Sequence, residues 1–173
     1  IDHVVEGYDV VANDLDIGAL FDHHAPFLAR FVMRMLGDGN HVDDIVQETF
    51  LIAYQRRNAF KGASTPATWL FGIAKRLVWA HVSRQRRRQL LNLLLYPLET
   101  KSETPEHSVI RSEEARLLHD LILRLPPKQR EVFTLCELEE LSGVQAAQLL
   151  GIPEGTVATR LHHARKKLSD MAS

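Results

Sequence analysis

The sequence predicts an all-α protein: two small helical domains joined by a flexible linker, the C-terminal one containing a helix-turn-helix. Three observations lead there. Apolar residues recur at steps of three and four through most of the chain, and no period-2 segment is long enough for a strand. Tyr96 to His107, YPLETKSETPEH, is polar, carries two prolines and lacks a period, which marks a linker. Finally, Ser142 to Leu168 reads as two short helices around a tight turn, the second strongly basic.

Taken in order, residues 1–12 show no period and read as an arm. Asn13 or Asp14 can cap a helix whose apolar stripe is Ile17, Leu20, Phe21, Phe27, Leu28, Phe31, Val32, Met35 and Leu36, kinked or divided at Pro26 and ended by Gly37 to Gly39. Asn40 caps a second helix with Val42, Ile45, Val46, Thr49, Phe50 and Ala53 inward and Asp43, Asp44, Gln47 and Glu48 outward. Asp43 and Asp44 suit the positive end of a helix dipole, but Glu48 lies too far along for that explanation. Ala59 to Pro66 is a loop, with Thr65 or Ser64 as cap and Pro66 at the first helical position. The long helix that follows has Trp69, Leu70, Ile73, Leu77, Ala80 and His81 or Val82 on its periodic face and runs out through SRQRRR.

Beyond the linker, Val109 to Leu125 forms a helix with Ala115, Leu118, Leu121 and Ile122 inward. Pro126 and Pro127 end it and start another, Lys128 to Leu138. Ser142 and Gln145 then make a reciprocal capping box, and the helix they begin stops at Gly151. Pro153 sits just inside the last helix, where Val157, Leu161, Ala164 and Leu168 face inward. Its opposite face collects Gly155, Thr159, His162, His163 and Lys166, flanked by Arg160, Arg165 and Lys167. Polar tips between cations suit a DNA groove, where base edges lie between phosphates.

Net charge is only −1, yet the charges segregate. From Ile1 to Gln55 ten acids face two bases, Arg30 and Arg34, whereas Arg56 to Leu95 carries nine bases and no acid. An acidic surface beside a basic one predicts two different partners. In the basic segment Phe60, Trp69, Phe71 and Trp79 lie among Lys61, Lys75 and Arg76, the mixture that holds unstacked bases on a charged track. The single cysteine, Cys136, forms no intrachain disulfide. No run of about 18 apolar residues occurs and Ile1 to Gly18 lacks a basic leading region, so membrane insertion is not expected and a cytoplasmic location is.

Together VDDIVQETFLIAY (Val42 to Tyr54), FKGASTPATWLFGIAKRL (Phe60 to Leu77), LPPKQREVFTL (Leu125 to Leu135) and GIPEGTVATRLHHARKKL (Gly151 to Leu168) resemble the extracytoplasmic-function (ECF) sigma factors of bacterial RNA polymerase. The resemblance covers roughly Asp14 to Leu168. It implies a region 2 domain at 13–95, a linker at 96–109 and a region 4 domain at 110–173. It assigns Asp44, Gln47 and Glu48 to the clamp helices of the polymerase's largest subunit, with the polymerase flap as a further contact. Lys61, Ser64, Thr65, Trp69, Lys75, Arg76 and Trp79 are assigned to the downstream promoter element, which is captured and melted. Thr156, Ala158, Thr159, Arg160, His162, His163, Arg165 and Lys166 are assigned to the upstream element. An anti-sigma protein is an implied partner, and no catalysis, metal or cofactor is.

Two other readings fit less of the chain. A stand-alone helix-turn-helix regulator leaves the acidic helix and the acid-free segment unexplained. A metal enzyme built on the nine histidines lacks paired ligands at i, i+4 with a carboxylate, since adjacent histidines on a helix diverge by about 100°.

Overall fold

The computed structural model describes residues 15–95 and 113–172; the arm at 1–12, the caps Asn13 and Asp14 and the linker at 96–109 lie outside them. Seven α-helices occur among the described residues: α1 (Ile17–Leu36), α2 (Val42–Arg56), α3 (Pro66–Leu95), α4 (Glu113–Leu123), α5 (Pro127–Phe133), α6 (Gly143–Leu150) and α7 (Glu154–Ala172). A 3-10 turn at Arg57–Ala59 follows α2, and a π turn at Thr134–Leu138 follows α5.

Helices α1, α2 and α3 pack pairwise into the N-terminal unit; α5, α6 and α7 with the π turn form the C-terminal one. The two units share a hydrophobic core. Phe31, Leu70 and Phe71 belong to the same buried cluster as Val132, Leu135, Leu149 and Val157. Burying each such side chain contributes roughly 1.5–3 kcal/mol. Contacts of α3 with α6, and of α1 with α4, α5 and the π turn, join the halves.

Helix starts follow local chemistry, with some displaced by a residue or more. Asp16 caps α1 by accepting a hydrogen bond from Ala19 N (3.1 Å), while α2 begins after His41 without a side-chain cap, so Asn40 does not fill that role. Thr65 Oγ1 accepts from Thr68 N (3.2 Å) at the start of α3, which settles the choice between Thr65 and Ser64. The capping box is present as read: Ser142 N donates to Gln145 Oε1 (2.9 Å) and Gln145 N to Ser142 Oγ (3.2 Å). Pro153 lies just before α7, its carbonyl accepting from Thr156 and Val157. Pro26 does not divide α1, which is continuous.

The inward face of α2 is the expected one, and on α3 Leu70, Ile73 and Val82 are buried as expected, but the buried surface is wider. Phe71, Ala74 and Val78 are buried and Ala80 is exposed. Phe71 packs against Phe31 with ring centroids 4.7 Å apart, so it is a core residue rather than part of a base-stacking track. On α4 Leu118 is exposed, Leu121 is half-buried and Ile122 is buried.

Two helix ends need a left-handed residue, and glycine supplies it: Gly37 (φ 85°) after α1 and Gly151 (φ 67°) after α6. At Gly37 a side chain would also clash with the Leu123 side chain. Glu140 adopts φ 56° without being glycine. Such a backbone costs about 1–2 kcal/mol in an L-residue. Glu140→Gly is therefore expected to raise stability by about 1 kcal/mol, offset in part by the entropy of glycine in the unfolded chain, and thermal unfolding measures it.

His24 is buried on α1, edge-on to His23 with ring centroids 4.6 Å apart. Burial, and then the neighbouring His23, push its pKa from 6.5 down to about 4. Unfolded His24 thus takes up a proton at higher pH than the folded one, and stability present above pH 6.5 is lost as the pH falls toward 4. Urea unfolding over that window is expected to show a loss on the order of 2 kcal/mol, which His24→Gln removes.

Candidate nucleic-acid and protein-docking interfaces

Helix α2 turns one face into the core and leaves Asp43, Asp44, Gln47 and Glu48 in solvent. The same exposed stripe continues through Leu51 and Tyr54, 56% and 54% exposed, because positions three and four apart share a helix face. Sequence reasoning passed over these two; the spacing from Asp44 and Glu48 was the available signal. Arg57 closes the stripe, its guanidinium 4.2 Å from the Tyr54 ring centroid. The result is an acidic patch running into an exposed apolar and aromatic end. A protein surface that is basic at one side and apolar at the other would complement it.

The loop before α3 leaves Lys61, Gly62, Ala63 and Ser64 exposed, with Gly62 at φ 70°. Thr65 is half-buried and committed to its cap. Trp69 packs on buried Phe60, with ring centroids 5.2 Å apart, and is half-buried. Along α3, Arg76 is exposed and folds back on Gly72 O (3.0 Å). Lys75 and Trp79, one helical turn apart, point instead at the C-terminal unit. Lys75 Nζ donates to Leu150 O, the last carbonyl of α6 (2.8 Å), and Trp79 Nε1 donates to Glu131 Oε1 (3.3 Å). Of the seven assigned residues, Lys61, Ser64 and Arg76 are exposed, Thr65 and Trp69 are half-buried within the N-terminal unit, and Lys75 and Trp79 are half-buried against α6 and α5.

Glu131 is buried. Burial pushes its carboxyl above the usual range, opposed by the positive charge of Lys75, the Trp79 hydrogen bond, and Arg160 and Lys128. His41, just before α2, and His81 on α3 face each other with ring centroids 4.6 Å apart. Burial, then His41, holds the His81 pKa below its ordinary value, and Asp38 opposes them.

On α7 the anticipated inward face holds, with Val157 and Ala164 buried. Ala158, Thr159, His162, His163 and Lys166 are exposed, while Thr156 and Arg160 are half-buried. Thr159 Oγ1 donates to Gly155 O (2.8 Å), leaving its oxygen free to accept. Arg165 is paired with Glu137 of the π turn. The rings of His162 and His163 lie 5.8 Å apart between centroids, so two adjacent imidazoles crown this helix. A polar, cationic helix face projecting after a tight glycine turn has the form that enters a DNA major groove.

Comparison with known proteins agrees with this division. Residues 20–88 match the model of Sigma-70 region 2, and residues 115–168 match that of Sigma-70, region 4. The chain is 32% identical to the ECF RNA polymerase sigma-E factor of Haemophilus influenzae, over 98% of this chain and 92% of that protein. It is 34% identical to the ECF RNA polymerase sigma factor SigL of Mycobacterium tuberculosis, over 87% of this chain and 85% of that one. Among solved structures it resembles CnrH in complex with the cytosolic domain of CnrY, at 27% identity and a TM-score of 0.65, covering 90% of this chain and 86% of that chain. The fold also matches the sigma factor RpoE bound to the anti-sigma factor NepR from Bartonella quintana, with a TM-score of 0.67 at 22% identity, covering 91% and 96%. With both sigma regions in order, on helices that expose an acidic stripe on α2 and a cationic stripe on α7, the chain belongs to the ECF sigma factors of RNA polymerase.

Proposed function

We propose that the chain directs promoter-specific initiation in the cytoplasm by joining core RNA polymerase and reading two promoter elements, the polymerase alone supplying catalysis. The observation that carries this reading is the exposed stripe of Asp44, Gln47, Glu48, Leu51 and Tyr54 on α2, set apart in sequence from the exposed face of α7. The acidic stripe docks on the clamp helices of the largest subunit, with the flap held by the C-terminal unit. In this reading 13–95 is the region 2 domain, 96–109 the linker and 110–173 the region 4 domain.

Lys61, Ser64 and Thr65 line the base-capturing loop, while Trp69, Lys75, Arg76 and Trp79 hold the opened strand. Opening a duplex costs a few kcal/mol per unstacked base, which stacking and a captured base offset. Thr156, Ala158, Thr159, Arg160, His162, His163, Arg165 and Lys166 meet the upstream element in the major groove. An anti-sigma protein is the expected regulator, because the relatives of similar fold include a sigma factor solved with one.

Transcription in vitro with core polymerase, followed by mapping of start sites, tests the whole reading; specific duplex binding without any association with core enzyme would refute it. Asp44→Arg or Glu48→Arg is expected to abolish core binding in a pull-down while circular dichroism stays unchanged. At the upstream element, Arg165→Ala is expected to weaken all promoters about equally and to lower the salt slope of binding by about one. His163→Ala or Thr159→Ala is expected instead to alter sequence preference, measured by competition between matched and mismatched promoters.

A further inference from the structure

Helix α3 outlasts the core it packs on. Val82 is its last buried residue among those described, and every residue from Ser83 to Asn92 is exposed. The helix nevertheless continues to Leu95, about 20 Å beyond Val82. A helical segment of that length with no packed face is marginal in water. Nor does its composition suit a solvated end. Leu90 is 60% exposed and Leu91 54%, and Leu93, Leu94 and Leu95 follow them in the chain. Just ahead, Arg84, Arg86, Arg87 and Arg88 are all exposed, and no acid occurs from Arg56 to Leu95. At about 100° per residue the five leucine positions spread over an arc of about 200°, and the four arginine positions fall on nearly the same arc one to two turns earlier. Gln85, Gln89 and Asn92 occupy the opposite side of the helix.

We propose that the projecting end of α3 binds the surface of an anionic lipid bilayer, its leucines entering the boundary between headgroups and acyl chains while its arginines pair with lipid phosphates. Other occupants use only part of this surface. DNA would take the arginines and leave the leucines in water. A second copy of the chain would cover the leucines but set its own four arginines against these, a like-charge contact. A single partner helix contacts a stripe not much over about 100° wide, whereas a fluid apolar phase closes on the whole leucine arc. The axial spacing agrees: the centre of the arginine run, position 86, and the centre of the leucine run, position 93, lie about 10 Å apart, the depth over which an interfacial helix passes from headgroups into hydrocarbon. The helix therefore sits inclined, its C-terminal end deeper and Gln85, Gln89 and Asn92 toward water. It does not span: a crossing helix needs about 20 apolar residues, and among the described residues no helix is long and apolar enough to cross a membrane. Because this element begins after Val82, lipid and promoter engage different stretches of α3.

The test is flotation of the full chain with vesicles of phosphatidylcholine, either pure or mixed with about one third phosphatidylglycerol. Binding is expected to the mixed vesicles and not to the pure ones. Leu90→Gln with Leu91→Gln, which keeps the charge, is expected to weaken it at least about tenfold, as is Arg86→Gln with Arg87→Gln. Both pairs lie at exposed positions, and an unchanged circular dichroism spectrum of the core helices verifies that the fold survives. Leu91→Trp adds a reporter of depth: its emission is expected to shift to the blue on mixed vesicles and to be quenched, beyond the parent chain, by lipids brominated in their acyl chains. Absence of binding by the parent overturns the proposal. So does binding that the arginine pair removes and the leucine pair leaves intact, which is headgroup electrostatics alone, or Leu91→Trp emission that brominated lipid does not change. Sedimentation equilibrium without lipid supplies the last arm: self-association that the leucine pair abolishes makes a second copy the occupant, and the lipid assignment falls.

Discussion

The rest of the structure depends on where the Arg130 guanidinium goes. It is buried, and its two terminal nitrogens donate to three main-chain carbonyls, Met35, Leu123 and Leu125, while Nε has no partner among the described residues. Those carbonyls lie at or just past the ends of α1 and α4, where helices leave acceptors unsatisfied and partial negative charge accumulates. Burial, and then the charge of Arg86, lower its pKa to about 10, so it stays cationic at neutral pH. A buried cation is tolerated only when hydrogen bonds replace its water, and here backbone replaces it. The geometry fixes α5 against α1 and carries the π turn and the helix-turn-helix with it.

Around that anchor the same physical device recurs in both directions. Region 4 satisfies the end of α1 through Arg130 and His119, and region 2 satisfies the end of α6 through Lys75. Gly37 permits a close approach, since a Cβ there would strike the Leu123 side chain. Polar capping of this kind fixes orientation more sharply than apolar contact, because a hydrogen bond loses strength steeply with angle. The shared core adds non-directional burial beneath it.

The charge map explains how a chain of net charge −1 belongs to a DNA-dependent family. Acids lie exposed on α2, bases on α3 and α7, and the few pairs that cross between units, Arg30 and Arg34 with Glu139, neutralise charges outside both stripes. Folding therefore keeps most opposite signs on separate surfaces, Arg165 of α7 with Glu137 being an exception. Long-range attraction to one partner does not have to oppose attraction to another at the same face.

Much of this was legible in the chain. The inward residues of α2, the capping box of Ser142 and Gln145, the turn at Gly151 and the exposed face of α7 follow from local periodicity and capping, which depend on neighbours three or four residues away. Asp44, Gln47 and Glu48 stood out because carboxylates and an amide beside a filled apolar face must point to solvent. The burial of Phe71, the exposure of Ala80 and the covering of Lys75 and Trp79 were not legible, for a different reason. On α3 two faces are occupied, one by α1 and α2 and one by α6, so no single stripe predicts which residues are inward. Sequence alone determined which helices form and which charges they carry. Only the tertiary structure decided which of those charges remain free, because Arg130 reaches Met35, Glu131 reaches Trp79 and Glu139 reaches Arg30 across about 50 to 110 residues, beyond the reach of any local pattern.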